Sequence, residues 1–212
     1  MIGINSLSLN DDFNSFKELQ KYFDFFECSK RFYLNNIERF EEIEIPCSCL
    51  SSLIIGNYDI DNKYESNLFI REFIDSCEIA RALDCKKMMF GLLRYRKTMS
   101  ERKRNIFKEL IQIAKSYDID LLYEAISEKC GNKFLTTHKE LIEFSKENEV
   151  SSIHVDYNTL RLNNEKISDI EYPISNIHYP LGIEVCLEMD VSLENYDNLN
   201  INEIKEWVKK WN

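Results

Sequence analysis

Four side chains in the second half of the sequence could together hold a divalent cation: Glu124, Asp156, His178 and Glu188. Each closes a short apolar run (LLYE, HVD, NIH and VCLE) of the kind that ends a buried strand. Three carboxylates and one imidazole make a mainly oxygen donor set, which suits Mn²⁺ or Mg²⁺ and tolerates Co²⁺ or Zn²⁺. Taken singly, a glutamate such as Glu124 is just the last exposed residue of a strand. Its meaning comes from register with the other three. Glu184 lies on the same face as Glu188, and Glu188 is preferred as nearer the strand's C-terminal end. His154, two residues before Asp156, shares that strand face; it reads as a core residue, with a fourth inward ligand as the alternative. His138 opens a helix and reads as a surface residue near a cap. Tyr123, Tyr157 and Tyr179 neighbour the strand-end candidates and so point to the opposite face, under the helices.

These residues can meet only if the elements carrying them converge. Eight β-type runs alternate with amphipathic helical stretches. The runs begin at Ile2–Leu9 and Phe23–Cys28, then Ile43–Cys49, Lys87–Leu92 and Asp120–Ile126. Val150–Asp156, Asn176–Tyr179 and Glu184–Glu188 complete the series. Between them, Phe69, Phe73 and Cys77, then Ile106, Phe107, Leu110 and Ile111, recur at helical spacing. Thr137 with Glu140 forms a capping-box signature for the helix that follows. This alternation predicts an α/β fold, either a doubly wound sheet or a (β/α)8 barrel, and eight runs favour the barrel. At about 26 residues per unit the barrel is small. The nine residues between His178 and Glu188 are too few for a full crossover helix, so the C-terminal third must be abbreviated.

Composition narrows the function. The chain of 212 residues carries a net charge of −10, which argues against duplex DNA and against an anionic membrane surface as partners. No apolar stretch approaches the length of a membrane span, and the first dozen residues lack the basic and apolar regions of a signal peptide. Seven cysteines without a C-x-x-C pair point to a reducing, cytoplasmic setting. Cys47 and Cys49 read as two small residues on one strand face. No linker or low-complexity run divides the chain, so residues 1–212 read as one domain. Within this acidic protein, Arg94, Arg96, Lys97, Arg102, Lys103 and Arg104 crowd eleven positions after the fourth run. They form a solvated helix face or, on the catalytic side of a barrel, an anion site. Trp207 and Trp211 fit either a homodimer contact or a helix capping the barrel.

Several segments resemble, in order and placement, the xylose-isomerase-like TIM-barrel superfamily of sugar phosphate isomerases/epimerases and endonuclease IV-type proteins. IGINSLSL resembles the first strand, and FDFFEC the second with its terminal glutamate. FIREFIDSCEIARALDCKKMMFG resembles the passage into a glycine-ended fourth strand. AKSYDIDLLYEAI, HVDYN, NIHY and VCLEM resemble strands five to eight with their glutamate, aspartate, histidine and glutamate. The resemblance implies that Glu124, Asp156, His178 and Glu188 bind one divalent ion. It implies that Glu124 and Glu188 also act as an acid/base pair on a sugar or sugar-like polyhydroxy carbonyl substrate, with Glu27 or Arg94 as substrate contacts. The pattern is departed from at Thr159, where relatives often carry histidine, and only three histidines occur in all, which excludes a trinuclear zinc site of the endonuclease kind. Two other readings stay open: a non-catalytic binding descendant of the barrel, and a lyase or dehydratase on the same scaffold.

Overall fold

The computed structural model describes residues 1–180, 191–194 and 200–209. Its eight strands are β1 (Ile2–Asn5), β2 (Phe25–Ser29), β3 (Cys47–Ser51), β4 (Lys87–Phe90), β5 (Asp120–Tyr123), β6 (Ile153–Asp156), β7 (Ile174–Pro180) and β8 (Val191–Glu194). The helices are α1 (Phe13–Leu19), α2 (Lys30–Asn35), α3 (Lys63–Ala82), α4 (Glu101–Ser116), α5 (His138–Glu147), α6 (Tyr157–Asn163) and α7 (Ile201–Lys209). All ladders are parallel, in the order β5-β4-β3-β2-β1-β8-β7-β6. The outer strands of that order meet through a parallel bridge between Glu124 and His154, which brings the sheet round into the expected (β/α)8 TIM barrel.

One predicted strand is misplaced. The strand that pairs with β1 and β7 is Val191–Glu194, not Glu184–Glu188. Its alternating VSLE pattern is weaker in apolar content than IEVCLE, which is why the apolar run drew the assignment. Glu184, Glu188 and Trp211 lie outside the described residues. Ten residues, 181–190, connect β7 to its parallel neighbour β8, so the last third is abbreviated as expected.

Capping side chains start the helices, two of them, Ser29 and Asp156, at the ends of strands. Asp12, Ser29, Asn62, Ser100, Thr137 and Asp156 each accept from a backbone N–H in the first turn that follows. The box at α5 is displaced by one residue: Thr137 receives the Glu140 N–H, whereas the Glu140 carboxylate reaches back to Thr136. No helix among the described residues is long and apolar enough to cross a membrane.

The layer between strands and helices is rich in aromatic rings. Phe13, Phe16, Phe26, Phe32 and Phe40 pack under α1 and α2. Phe69, Phe90, Phe107, Tyr123, Phe134 and Phe144 run as a continuous chain beneath α3, α4 and α5. Tyr123 is fully buried there and donates to the Phe107 carbonyl at 2.7 Å, the packing role read for it from the sequence. Phe107 sits at the middle of that chain with no exposed surface. Phe107→Ala should therefore cost about 3–5 kcal/mol, read as a lower urea midpoint, with Phe107→Leu costing clearly less.

Candidate active site

Glu27 stands on β2 with its carboxylate wholly out of solvent. An ionised carboxylate in that position costs several kcal/mol unless it is well paired. Three donors from two other strands meet it. Asn5 of β1 donates to Oε2 at 2.9 Å, Asn176 of β7 donates to Oε1, and His178 Nε2 lies 2.6 Å from Oε2. Both asparagines are fixed in turn: Asn5 Oδ1 accepts from Leu7 N and Asn176 Oδ1 from Ile177 N. A buried acid thus ties β1, β2 and β7 together.

His154 completes the cluster. Its ring packs edge-on against His178, centroids 4.0 Å apart, and it has no exposed surface. Neither ring nitrogen has a hydrogen-bond partner; Nε2 lies 3.7 Å from Oε2 of Glu124. Burial first, then the neighbouring His178 and His138 imidazoles, hold His154 well below its usual pKa, so the ring is neutral and keeps a free lone pair. An orphaned buried nitrogen is costly, by about 1–3 kcal/mol, unless something meets it. Ligand atoms of Glu27, His154 and His178 all fall within 4.8 Å of one another. One carboxylate and two imidazoles at that separation fit a single divalent ion such as Zn²⁺, Mn²⁺ or Co²⁺.

Glu124 follows directly on β5, at the seam with β6. Its carboxylate fills the space that a Cβ at Gly91 would take, since such an atom would lie 2.1 Å from Oε1. Its backbone is braced from behind by Arg96, which has no exposed surface. Arg96 donates to the Glu124 carbonyl at 2.7 Å and to the Phe90 carbonyl, linking the ends of β4 and β5. Burial lowers the Arg96 pKa to about 10, while the nearby Glu124 charge raises it.

Of the four ligands read from the sequence, His178 lies in the cluster and Glu124 at its edge. Asp156 pairs in register with His178 and accepts the Thr159 N–H at 2.8 Å, capping α6. Glu188 is outside the described residues. Glu27, expected only as a substrate contact, is the centre of the network. His154, read as core, is core by burial and also the third member of the cluster. Asn5 and Asn176 carried no signal beyond their places on strand faces. His138, expected at the surface, is buried with Nδ1 2.6 Å from Glu165 Oε2, because α5 begins against the turn that follows α6. The basic run is mostly spent on the protein itself, chiefly on the connection between β3 and α3: Arg94 donates to the Ile54 and Gly56 carbonyls, Arg102 to the Ile60 carbonyl and Ser66, and Lys103 to Thr98.

No protein-family model matches the chain, and no curated protein matches it at the sequence level. Solved structures do match in fold. The IolI protein with a bound zinc atom superposes with a TM-score of 0.72 at 16% identity, covering 99% of this chain and 95% of that one. D-psicose 3-epimerase with D-tagatose, from Clostridium cellulolyticum H10, gives 0.71 at 14% identity, covering 97% and 89%. A 3-keto-D-glucoside 4-epimerase, YcjR from E. coli, gives 0.67 at 14% identity, covering 99% and 98%. The chain therefore has the fold of the xylose-isomerase-like TIM barrels.

The pairing of Glu27 with its donors is open to a double-mutant cycle. Asn5→Ala leaves part of a buried charge unmet and should lower stability by about 1–3 kcal/mol in urea unfolding. In a Glu27→Gln background the same change should cost much less.

Proposed function

We propose that the protein is a divalent-metal-dependent isomerase or epimerase of a sugar or sugar-like polyhydroxy carbonyl compound, working in the cytoplasm. The observation that carries this reading is the buried Glu27–His154–His178 group, with both ring nitrogens of His154 unpartnered, beside the Glu124 carboxylate. The fold it shares with a zinc-binding protein and with two sugar epimerases supports it. Glu27, His154 and His178 would hold the ion, with Asp156 next to His178 as a further ligand. When bound, such an ion polarises a substrate carbonyl and offsets negative charge on its oxygens.

Glu124 is the chain's proton carrier in this reading. A carboxylate held at the edge of the cluster can take a proton from the carbon beside a carbonyl and return it. Its carboxylate has its place because Gly91 lacks a Cβ, and its backbone is fixed by Arg96. Inversion at that carbon needs a second acid on the opposite face. Glu188, as read from the sequence, is the candidate for it. A second reading, a binding protein on an inherited barrel, is favoured by one observation: Glu27 is already met by three protein donors.

Thermal melts separate the two. With Mn²⁺ at a hundredfold excess over its dissociation constant, stripped wild type should gain about 2.7 kcal/mol, or roughly 5–10 °C in Tm. His154→Ala and His178→Ala should abolish the gain. Loss in Asp156→Asn with retention in His154→Ala would place the ion on the sequence-read set instead. No gain at any concentration would leave the binding protein as the account. With turnover in hand, Glu124→Gln should slow uptake of solvent deuterium beside the carbonyl by about 10²–10⁴-fold, followed by NMR.

A further inference from the structure

A cleft of about 370 Å³ opens among the connections that follow β1, β2, β3 and β4. These are the ends of the strands at which barrels of this kind place their chemistry. Gly91 lines the cleft and also makes room for the Glu124 carboxylate, so the cleft adjoins the candidate active site.

The lining is unusual in two respects. Its apolar wall, from Leu7, Ile54, Ile55 and Leu92, includes two large side chains left in solvent, Leu7 at 43% and Ile55 at 40% exposure. Its charged groups are Arg31, Arg94 and Asp11. Asp11 is engaged by the hydroxyls of Ser6 and Ser29, at 3.0 and 2.7 Å. Arg94 is pinned by the Ile54 and Gly56 carbonyls, so its charge stays at the rim. Arg31 is different. Its neighbour Lys30 is buried against the Leu53 carbonyl and Glu72, whereas Arg31 is exposed and has no hydrogen bond or ion pair among the described residues. In a protein of net charge −10, an uncommitted guanidinium beside a second, fixed one makes the cleft a locally positive entrance.

We propose that this cleft is a subsite for a terminal oxyanion of the substrate, with Arg31 as the residue that selects for it. The guanidinium fork matches a phosphate or a carboxylate in bidentate fashion. Arg94 adds a charge that does not move, and Leu7 and Ile55 cover the carbon chain next to the anion. Gly91 lets the carbonyl end of the same molecule approach Glu124. The proposal rests on the isomerase reading for the identity of that reacting end. It goes beyond it in stating that the substrate is acidic and that an uncharged sugar is a poor ligand.

The test is calorimetric titration of fructose, fructose 6-phosphate and glucuronate into metal-free and Mn²⁺-loaded protein, as wild type, Arg31→Gln and Arg31→Lys. At least one of the two acidic probes should bind wild type roughly tenfold or more tightly than fructose. Arg31→Gln should erase that preference and Arg31→Lys should keep part of it. Preference for fructose 6-phosphate alone identifies a phosphate, and preference for glucuronate alone a carboxylate. If neither acid outbinds fructose, or if Arg31→Gln binds both as well as wild type does, the subsite is refuted. The metal reading fails separately, by absence of Mn²⁺ stabilisation while the Arg31-dependent preference survives in metal-free protein.

Discussion

A carboxylate buried in the middle of a barrel dictates much of what surrounds it. Among the described residues Glu27 pairs with no lysine or arginine; amide and imidazole groups on β1 and β7 meet it instead. Those donors must stand at the right height, and this fixes the register of three strands relative to one another. The pair of Asn5 with Glu27 is the register that results between β1 and β2. A slip of one residue on any of these strands would turn the donor outward and leave the acid alone.

A second buried charge, that of Arg96, solves the complementary problem. Arg96 has no carboxylate in hydrogen-bond contact among the described residues; it lies near the rings of Phe90 and Tyr123 and donates to two strand-end carbonyls. Carbonyl acceptors and ring faces distribute its charge without needing an acid that would compete for position with Glu124. One face of the site is therefore set by an acid held by amide and imidazole groups, and the other by a guanidinium held by carbonyls and ring faces. Glu124 lies between them, its carboxylate at the cluster and its carbonyl on Arg96.

How much of this was legible in sequence follows from which signals are local. Strand ends bearing Glu27, Glu124, Asp156 and His178 could be seen, because each follows an apolar run that must be buried. The barrel could be counted for the same reason. Strand eight could not be placed, since VSLE is short and only half apolar, while the preceding IEVCLE is richer. The grouping of Glu27 with His154 and His178 was hidden for another reason. Glu27, His154 and His178 come from β2, β6 and β7, and nothing along the chain shows that β2 faces β6 across the interior. His154 carries the clearest missed signal: by parity it shares a face with Asp156, and a histidine pointing inward in a strand needs partners for two nitrogens. A basic run such as Arg94–Arg104 misleads in the opposite direction, because carbonyls that accept from it are invisible in sequence.

The position of the cluster bears on what a metal would do to the fold as well as to a substrate. Among the described residues, β5 and β6 are joined by the Glu124–His154 bridge and by no longer ladder, so the barrel is most thinly stitched at that seam. An ion held by Glu27, His154 and His178 would connect β2 with β6 and β7 through the interior, beside the seam. Ligands drawn from strands this far apart in sequence are not gathered in the unfolded chain, so the binding free energy would appear largely as folding free energy. Closure of the barrel and assembly of the site would then be one event. Such an ion would meet one of the two ring nitrogens of the fully buried His154 and so offset part of that residue's cost to the metal-free fold.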